Sequence, residues 1–173
     1  MPVQSNASDI IFDFNSSSSL TNWYVIDDRV MGGLSQGGLY INKEGKGVYH
    51  GDVTTANNGG FSSLRYRFNK RSAESFNGVK LRIKGDGKVY QFRIKSNRTQ
   101  RYSYVCYFET TGSWETIVIP FSKFSPRYRG YPVNKPNYPG ITIEEVGILI
   151  GNKVKESFQL EIETIRLVNL PEY

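Results

Sequence analysis

The chain has 173 residues, a length that suits one domain with a single hydrophobic core. Hydrophobic residues make up 38% of it, which is enough apolar surface to fold without metals or disulfides. Its net charge of +6 favours approach to anionic partners without requiring one. No apolar run approaches the roughly 20 residues that cross a membrane. The N-terminus does not resemble a secretory signal, so we expect a cytoplasmic protein with no membrane span.

Short segments in which apolar and polar residues alternate recur along the chain and predict strands. Tyr, Phe, Val, Ile and Thr dominate these segments, and Gly, Asn, Ser and Pro separate them. Besides the hairpin described below, the predicted strands are residues 10–14, 38–41, 47–53, 61–68, 102–108, 115–120, 146–150 and 158–168. About ten short antiparallel strands predict an all-β sandwich or barrel. We expect one domain over residues 1–173, with its core at about 10–168.

Three segments depart from this alternation. Residues 70–76 and 121–124 are the best helical candidates, each of one or two turns. Residues 125–140 contain four prolines and three tyrosines, a composition that excludes a central strand. We predict a long irregular loop there, and loops of that length are often functional.

The clearest local signal is the turn sequence Asp86-Gly87, with alternating apolar residues on both sides. An Asp-Gly pair in this setting predicts a two-residue β-hairpin turn. The predicted cross-strand pairs are Ile83 with Tyr90, Leu81 with Phe92 and Val79 with Ile94. All six apolar side chains would then share one face of the hairpin, so the turn and the pattern favour the same register.

The opposite face of this hairpin is a candidate binding surface. Its register sets Lys80 opposite Arg93, and like charges facing each other across strands are mildly destabilising. A neighbouring carboxylate, a bound anion or a partner is therefore expected to compensate. The candidate binding residues are Arg65, Arg67, Lys80, Arg82, Gln91 and Arg93, together with Arg127, Tyr128 and Arg129 of the proline-rich segment. The alternative is an ordinary solvated sheet face.

The sequence gives little support for catalysis. His50 is the only histidine, and no nucleophile or phosphate-loop motif is present. Cys106 is the only cysteine and lies among apolar residues, so we expect a structural thiol. Asp27 and Asp28 are adjacent, and neighbouring strand residues point to opposite faces, so the pair is expected to cap or to form ion pairs. We predict that the protein is not an enzyme and has no cofactor.

Four glycine-bearing blocks stand out, at residues 23–35, 57–65, 83–92 and 119–130. Their motif residues are Trp23, Asp28, Val30, Met31, Gly32, Gly33, Ser35, Asn58, Gly59, Gly60, Phe61, Gly85, Asp86, Gly87, Tyr90 and Gly130. In this order the blocks resemble the complex I intermediate-associated protein 30 family, over nearly the whole chain. The resemblance implies a galactose-binding-domain-like jelly-roll sandwich. It also implies a non-enzymatic assembly factor that acts on protein partners.

Two alternative functions remain open. The segment that begins at Phe12 and the closing strand are similar to carbohydrate-binding jelly rolls, which makes a glycan the second candidate ligand. In many such modules these strands hold a structural calcium ion, and Asp13 and Glu163 would be its ligands. Nucleic acid is the third candidate, because the chain is basic and contains twelve tyrosines.

Overall fold

A computed structural model describes residues 8–28, 32–56 and 59–171. The motif residues Val30, Met31 and Asn58 lie outside the described residues. The strands are β1 (Ile10–Asp13), β2 (Trp23–Asp27), β3 (Gln36–Ile41), β4 (Gly47–Val53), β5 (Ser62–Ser72), β6 (Gly78–Lys84), β7 (Val89–Lys95), β8 (Ser103–Glu109), β9 (Trp114–Pro120), β10 (Ser125–Tyr128), β11 (Tyr131–Pro132), β12 (Thr142–Ile150) and β13 (Glu156–Val168). Within these described ranges, no helix is long and apolar enough to span a membrane.

The strands form two stacked antiparallel sheets. The six-stranded sheet has the order β3-β4-β13-β6-β9, and β1 also pairs with β13. The seven-stranded sheet has the order β11-β10-β8-β7-β12-β5-β2. This architecture confirms the predicted all-β sandwich, because each sheet buries one apolar face against the other.

The core lies between the inner faces of the two sheets. β6 contributes Val79, Leu81 and Ile83, and β7 contributes Tyr90, Phe92 and Ile94; all six side chains are fully buried. The two-residue period therefore identified the inward side chains of both strands correctly. At one end of the core the rings of Trp23 and Tyr66 stack with their centroids 4.7 Å apart.

The predicted hairpin between β6 and β7 is wrong. β6 pairs with β13 and β9 in the six-stranded sheet, whereas β7 pairs with β12 and β8 in the seven-stranded sheet. The apolar faces of β6 and β7 meet across the core instead of lying side by side. The connection is held by Asp86, which accepts hydrogen bonds from the Tyr90 hydroxyl (3.0 Å) and from the Gln159 N–H of β13 (2.8 Å). The Asp-Gly sequence thus turns the chain from one sheet to the other.

Three other predictions need correction. Residues 70–72 of the candidate helix 70–76 continue β5. Residues 125–140 are not wholly irregular, because β10 and β11 lie there at the edge of the seven-stranded sheet, where proline is tolerated. β2 was not among the predicted strands. The candidate at 121–124 is a 3-10 turn over Phe121–Lys123.

Candidate functional site

The outward face of the seven-stranded sheet gathers five basic side chains. Arg65 and Arg67 lie on β5, Arg93 and Lys95 on β7, and Arg127 on β10. Each alternates with residues that point into the core, so all five project from the same side of the sheet. We call these five residues the basic face. The structure thus brings together four of the predicted binding residues, Arg65, Arg67, Arg93 and Arg127, and Gln91 lies among them.

Acidic side chains are scarce around the basic face. Glu145 on β12 is 6% exposed, and its Oε1 accepts a hydrogen bond from Arg67 Nε at 2.9 Å. The Arg67 guanidinium also lies 4.7 Å from the centre of the Tyr24 ring, in a cation–π contact. The Arg67 guanidinium therefore already has two partners, the Glu145 carboxylate and the Tyr24 ring.

Arg93 and Arg65 have less compensation. Burial, followed by repulsion from Arg65 and Arg127, lowers the pKa of Arg93 to about 10. Burial also lowers the pKa of Arg65, although the Glu145 carboxylate partly offsets this effect. A lowered pKa for a guanidinium means that its positive charge is poorly solvated and poorly paired.

The other two predicted binding cations lie on the opposite side of the molecule. Lys80 and Arg82 belong to β6 and project from the outward face of the six-stranded sheet, and Lys80 is opposite Arg166 and Val118. The prediction that Lys80 faces Arg93 is therefore wrong, because the two strands are in different sheets. The site proposed from the hairpin is divided between two faces.

Carboxylates of β13 and β1 compensate the cations on the six-stranded face. The ion pairs join Lys46 Nζ with Glu163 (2.6 Å), Arg82 Nε with Glu163 (4.0 Å), Lys84 Nζ with Glu161 (4.0 Å) and Arg166 Nη2 with Asp13 (2.9 Å). Four cations of this face thus lie in ion pairs with three carboxylates, whereas among the described residues Arg67 is the only cation of the basic face in an ion pair. The expected compensating carboxylates are thus present on one sheet and largely lacking on the other, over the residues that the structure describes.

The same ion pairs bear on the predicted calcium ligands. Asp13 is bound to Arg166, and Glu163 is bound to Lys46. A calcium ion at either carboxylate would have to displace its cation. No group of three or more Asp, Glu, His or Cys side chains with metal-binding geometry occurs within residues 8–28, 32–56 and 59–171. As arranged, the two carboxylates do not fit a calcium site.

Asp28 is the centre of the glycine-bearing motifs. Its carboxylate accepts hydrogen bonds from the Ser35 N–H (2.8 Å), the Ser35 hydroxyl (2.5 Å), and the N–H groups of Gly60 (2.5 Å) and Phe61 (3.2 Å). Burial raises the pKa of Asp28, but these four hydrogen bonds outweigh burial and hold it below the ordinary 3.8. One carboxylate therefore joins two distant segments of the chain.

Two motif glycines allow this close approach. A Cβ at Gly33 would lie 2.3 Å from Asp28 Oδ1, and one at Gly59 would lie 2.4 Å from Asp28 Oδ2. Neither position has room for a side chain while Asp28 keeps its place. The motif residues of the first two blocks thus form a structural connection at the rim of the sandwich.

The motif residues of the third and fourth blocks also lie in turns. A Cβ at Gly85 would lie 2.2 Å from the Thr110 side chain, so this glycine packs against Thr110, and Asp86 follows it at the crossover between the sheets. Gly87 completes that turn. In the fourth block the carbonyl of Gly130 accepts a hydrogen bond from Arg127 Nη1 at 3.2 Å. Arg129 and Tyr128 are exposed there, and the Arg129 guanidinium lies 5.4 Å from the centre of the Tyr128 ring.

The only histidine and the only cysteine take part in packing. The ring of His50 contacts Tyr40 edge-on, with 5.3 Å between centroids. Cys106 packs against the core, and burial raises the pKa of its thiol, although Lys123 lowers it in part. A thiol with a raised pKa is a poor nucleophile at neutral pH.

Sequence reasoning missed four residues of the basic face and its surroundings. Lys95 continues the alternation of Gln91 and Arg93, so the same two-residue period identifies it. Glu145 lies one residue before the strand predicted at 146–150, and Tyr24 lies on the unpredicted strand β2, so both strands had to be assigned in full before these residues could be placed. Gly147 lies within the predicted strand, but its position between two arginines depends on the order of the strands in the sheet.

Comparison with known proteins places the chain among sequence relatives. Residues 12–162 match the family model described as Complex I intermediate-associated protein 30 (CIA30). The mitochondrial complex I intermediate-associated protein 30 of Mus musculus is 25% identical over 94% of this chain and 56% of its own length. Its counterpart in Drosophila melanogaster is 24% identical over 78% of this chain and 56% of its own length. An uncharacterized protein of Schizosaccharomyces pombe is 31% identical over 87% of this chain and 82% of its own length. This chain thus spans about 56% of the mouse and fly relatives.

Solved structures share the fold at low sequence identity. The family 11 carbohydrate-binding module of a cellulosomal cellulase of Clostridium thermocellum has a TM-score of 0.67 and 20% identity, over 96% of this chain and 97% of the module. An agarase has a TM-score of 0.66 and 12% identity, over 95% of this chain and 26% of the enzyme. These similarities confirm the jelly-roll sandwich.

The family match covers well over half of the chain, and it includes the segments joined by Asp28. In those segments Gly33, Gly59 and Ser35 surround one buried carboxylate. The chain belongs to the complex I intermediate-associated protein 30 family.

Proposed function

We propose that this chain is a non-enzymatic protein-binding module with a role in the assembly of respiratory complex I, and that it binds its partner through the basic face. The observation that carries the proposal is the uncompensated positive charge of that face. Five cations surround the buried carboxylate of Glu145 there, whereas most cations of the opposite face lie in ion pairs with its own carboxylates. Charge that is not balanced within a protein favours a partner of opposite charge.

The names of the relatives support an assembly-related role and indicate the compartment. Those of the mouse and fly proteins contain both "complex I intermediate-associated" and "mitochondrial". We therefore propose a mitochondrial location in place of the cytoplasmic one expected from the sequence. Cell fractionation of the native host would test it, and a purely cytosolic protein would contradict it.

A glycan is the second candidate ligand, and one cavity favours it. A cavity of about 270 Å³ beside the basic face is lined by polar side chains, including Asn22, Asn69 and Arg98. Sugar rings usually stack on an aromatic face, and the Tyr24 ring of this cavity is 41% exposed, although Arg67 lies over one side of it. We rank a glycan second because only part of this ring is left for stacking.

Affinity purification from the native host tests the proposed function. The tagged wild-type chain is compared with a variant carrying Arg65→Gln and Arg93→Gln, and the recovered proteins are identified by mass spectrometry. We expect complex I subunits or assembly intermediates with the wild type and strongly reduced amounts with the double variant. If complex I components do not appear reproducibly with the wild type, the proposed function is wrong.

A further inference from the structure

Gly147 lies in the centre of the basic face, between two of its arginines. β12 lies between β5 and β7, and the register places Arg65, Gly147 and Arg93 side by side across the three strands. Because neighbouring strands are about 4.8 Å apart, the Cα atoms of the two arginines are separated by roughly 10 Å. Gly147 places no side chain between them, and a Cβ at this position would lie 3.7 Å from the Arg65 side chain.

The outward positions of β12 on this face are shielded from solvent. Gly147 is itself buried by the atoms around it. Along β12 the next outward residues are Glu145 and Leu149, which are only 6% and 7% exposed although no other layer of the sandwich covers them. Gly147 is therefore a shielded position, with an acidic residue on one side of it along β12 and an apolar residue on the other.

The two arginines that flank Gly147 retain free hydrogen-bonding capacity. Arg93 donates from Nε (3.2 Å) and Nη2 (2.9 Å), both to the neutral Oε1 of Gln91. Arg65 donates only a long hydrogen bond, 3.4 Å from Nε to the Ser63 hydroxyl. Among the described residues, neither guanidinium forms an ion pair with a carboxylate. The Gln91 side chain is 92% buried by its surroundings, which hold it and Arg93 in place.

We propose that Arg65, Arg93 and Gly147 form a carboxylate-binding slot that anchors an acidic segment of the protein partner. This inference depends on the proposed function for the kind of partner. A planar guanidinium binds a carboxylate with two parallel hydrogen bonds, and such charge-assisted pairs are strong when they are partly shielded from water. Because position 147 carries no side chain, no group of β12 stands between the two arginines, and one carboxylate can bind both.

The ends of the slot favour a carboxylate over a phosphate. Glu145 already places one negative charge there, which repels a doubly charged phosphate more than a singly charged carboxylate. At the other end, Leu149 offers an apolar contact for the methylene groups of a glutamate side chain.

The test measures binding of three fluorescently labelled probes by anisotropy at low and physiological salt. The probes are a peptide of eight glutamates, a peptide of eight glutamines and an oligonucleotide of eight thymidines. Wild type is compared with Arg93→Gln, Arg65→Gln and the control Lys80→Gln, which removes the same charge from the opposite face. Thermal melting establishes that each variant is folded, and two separate slot variants guard against a folding defect in one.

We expect the wild type to bind the glutamate peptide and not the glutamine peptide. Loss of one charge-assisted pair corresponds to roughly a 10- to 100-fold weaker affinity in either slot variant. Lys80→Gln should change the affinity by less than about two-fold, since exposed charges contribute little.

Three results would overturn the slot. They are no binding of the glutamate peptide, equal loss of affinity in Lys80→Gln, and tighter binding of the thymidine oligonucleotide. The outcomes also separate the two proposals. Recovery of complex I subunits without peptide binding removes the slot alone, whereas peptide binding without recovery of those subunits removes the proposed function alone.

Discussion

Replacing Asp28 by asparagine tests whether one carboxylate joins the two glycine-bearing segments. The substitution keeps the size and shape of the side chain but removes its charge and one of its two acceptor oxygens. In the wild type, Oδ1 accepts the Ser35 N–H, and Oδ2 accepts the N–H groups of Gly60 and Phe61 and the Ser35 hydroxyl. The asparagine oxygen can serve only one of these two sets.

The cost follows from the hydrogen bonds that are lost. Asp28 is 1% exposed, so water does not replace them. A buried donor without a partner costs about 1–3 kcal/mol, and hydrogen bonds to a neutral acceptor are weaker than those to a carboxylate. We expect Asp28→Asn to lower the free energy of unfolding by about 3 kcal/mol. For a chain of this size that corresponds to a fall of about 6–12 °C in Tm.

Differential scanning calorimetry, supported by urea unfolding, measures this change at neutral pH. The matched control is Asp9→Asn, because Asp9 is exposed and its side chain accepts no hydrogen bond from the described residues. We expect the control to change stability by less than about 0.5 kcal/mol. If Asp28→Asn melts at the wild-type temperature, the carboxylate does not join the segments, and our interpretation of the family motif is wrong.

The same pair of proteins gives a prediction about pH. The pKa of Asp28 is lower in the folded state than its ordinary value of 3.8, so the unfolded chain takes up this proton first as the pH falls. The stability contributed by the Asp28 carboxylate is therefore complete at neutral pH and is lost on acidification. We expect the stability difference between wild type and Asp28→Asn to be constant near neutrality and to shrink below about pH 4. A difference that grows on acidification would contradict this sign.

Three further substitutions test local packing by thermal or urea unfolding. Gly33→Ala places a Cβ 2.3 Å from Asp28 Oδ1 and should cost about 1–3 kcal/mol, whereas Gly112→Ala, with no atom within 4 Å, should be nearly neutral. Gly60 has φ +143°, a conformation that side chains rarely adopt, so Gly60→Val should cost about 1–3 kcal/mol; unchanged melting would show that the loop relaxes. Tyr49→Phe removes a buried 2.8 Å hydrogen bond to a serine hydroxyl and should cost about 1–2 kcal/mol, and a stable variant would mean that this bond contributes little.

The alternation of side chains was sufficient to predict most strands and their inward faces. On β6 and β7, Leu81 and Phe92 are fully buried as their positions in the pattern require. The physical reason is local, because consecutive side chains of a strand point to opposite sides whatever the strand pairs with. The family motif was also recognised from local blocks of residues.

The pairing of strands depended on contacts that are distant in sequence. A two-residue period identifies the apolar side of each strand. That side is buried whether β6 and β7 pair in one sheet or face each other from two sheets, so the period does not distinguish the two arrangements. The tertiary structure decided between them, since Gln159 on β13 donates to Asp86 and the chain crosses to the other sheet. The same crossing separated Lys80 from Arg93 and so divided the predicted binding surface.

By itself, then, the sequence determined the all-β class, the inward faces of the strands and the family. Only the tertiary structure decided which cations lie together and which carboxylates compensate them. Glu163 reaches Lys46 from 117 positions away, and Arg65 and Arg93 become neighbours of one glycine only because β12 lies between their strands. Electrostatic compensation depends on distance in space, and sheet order sets that distance.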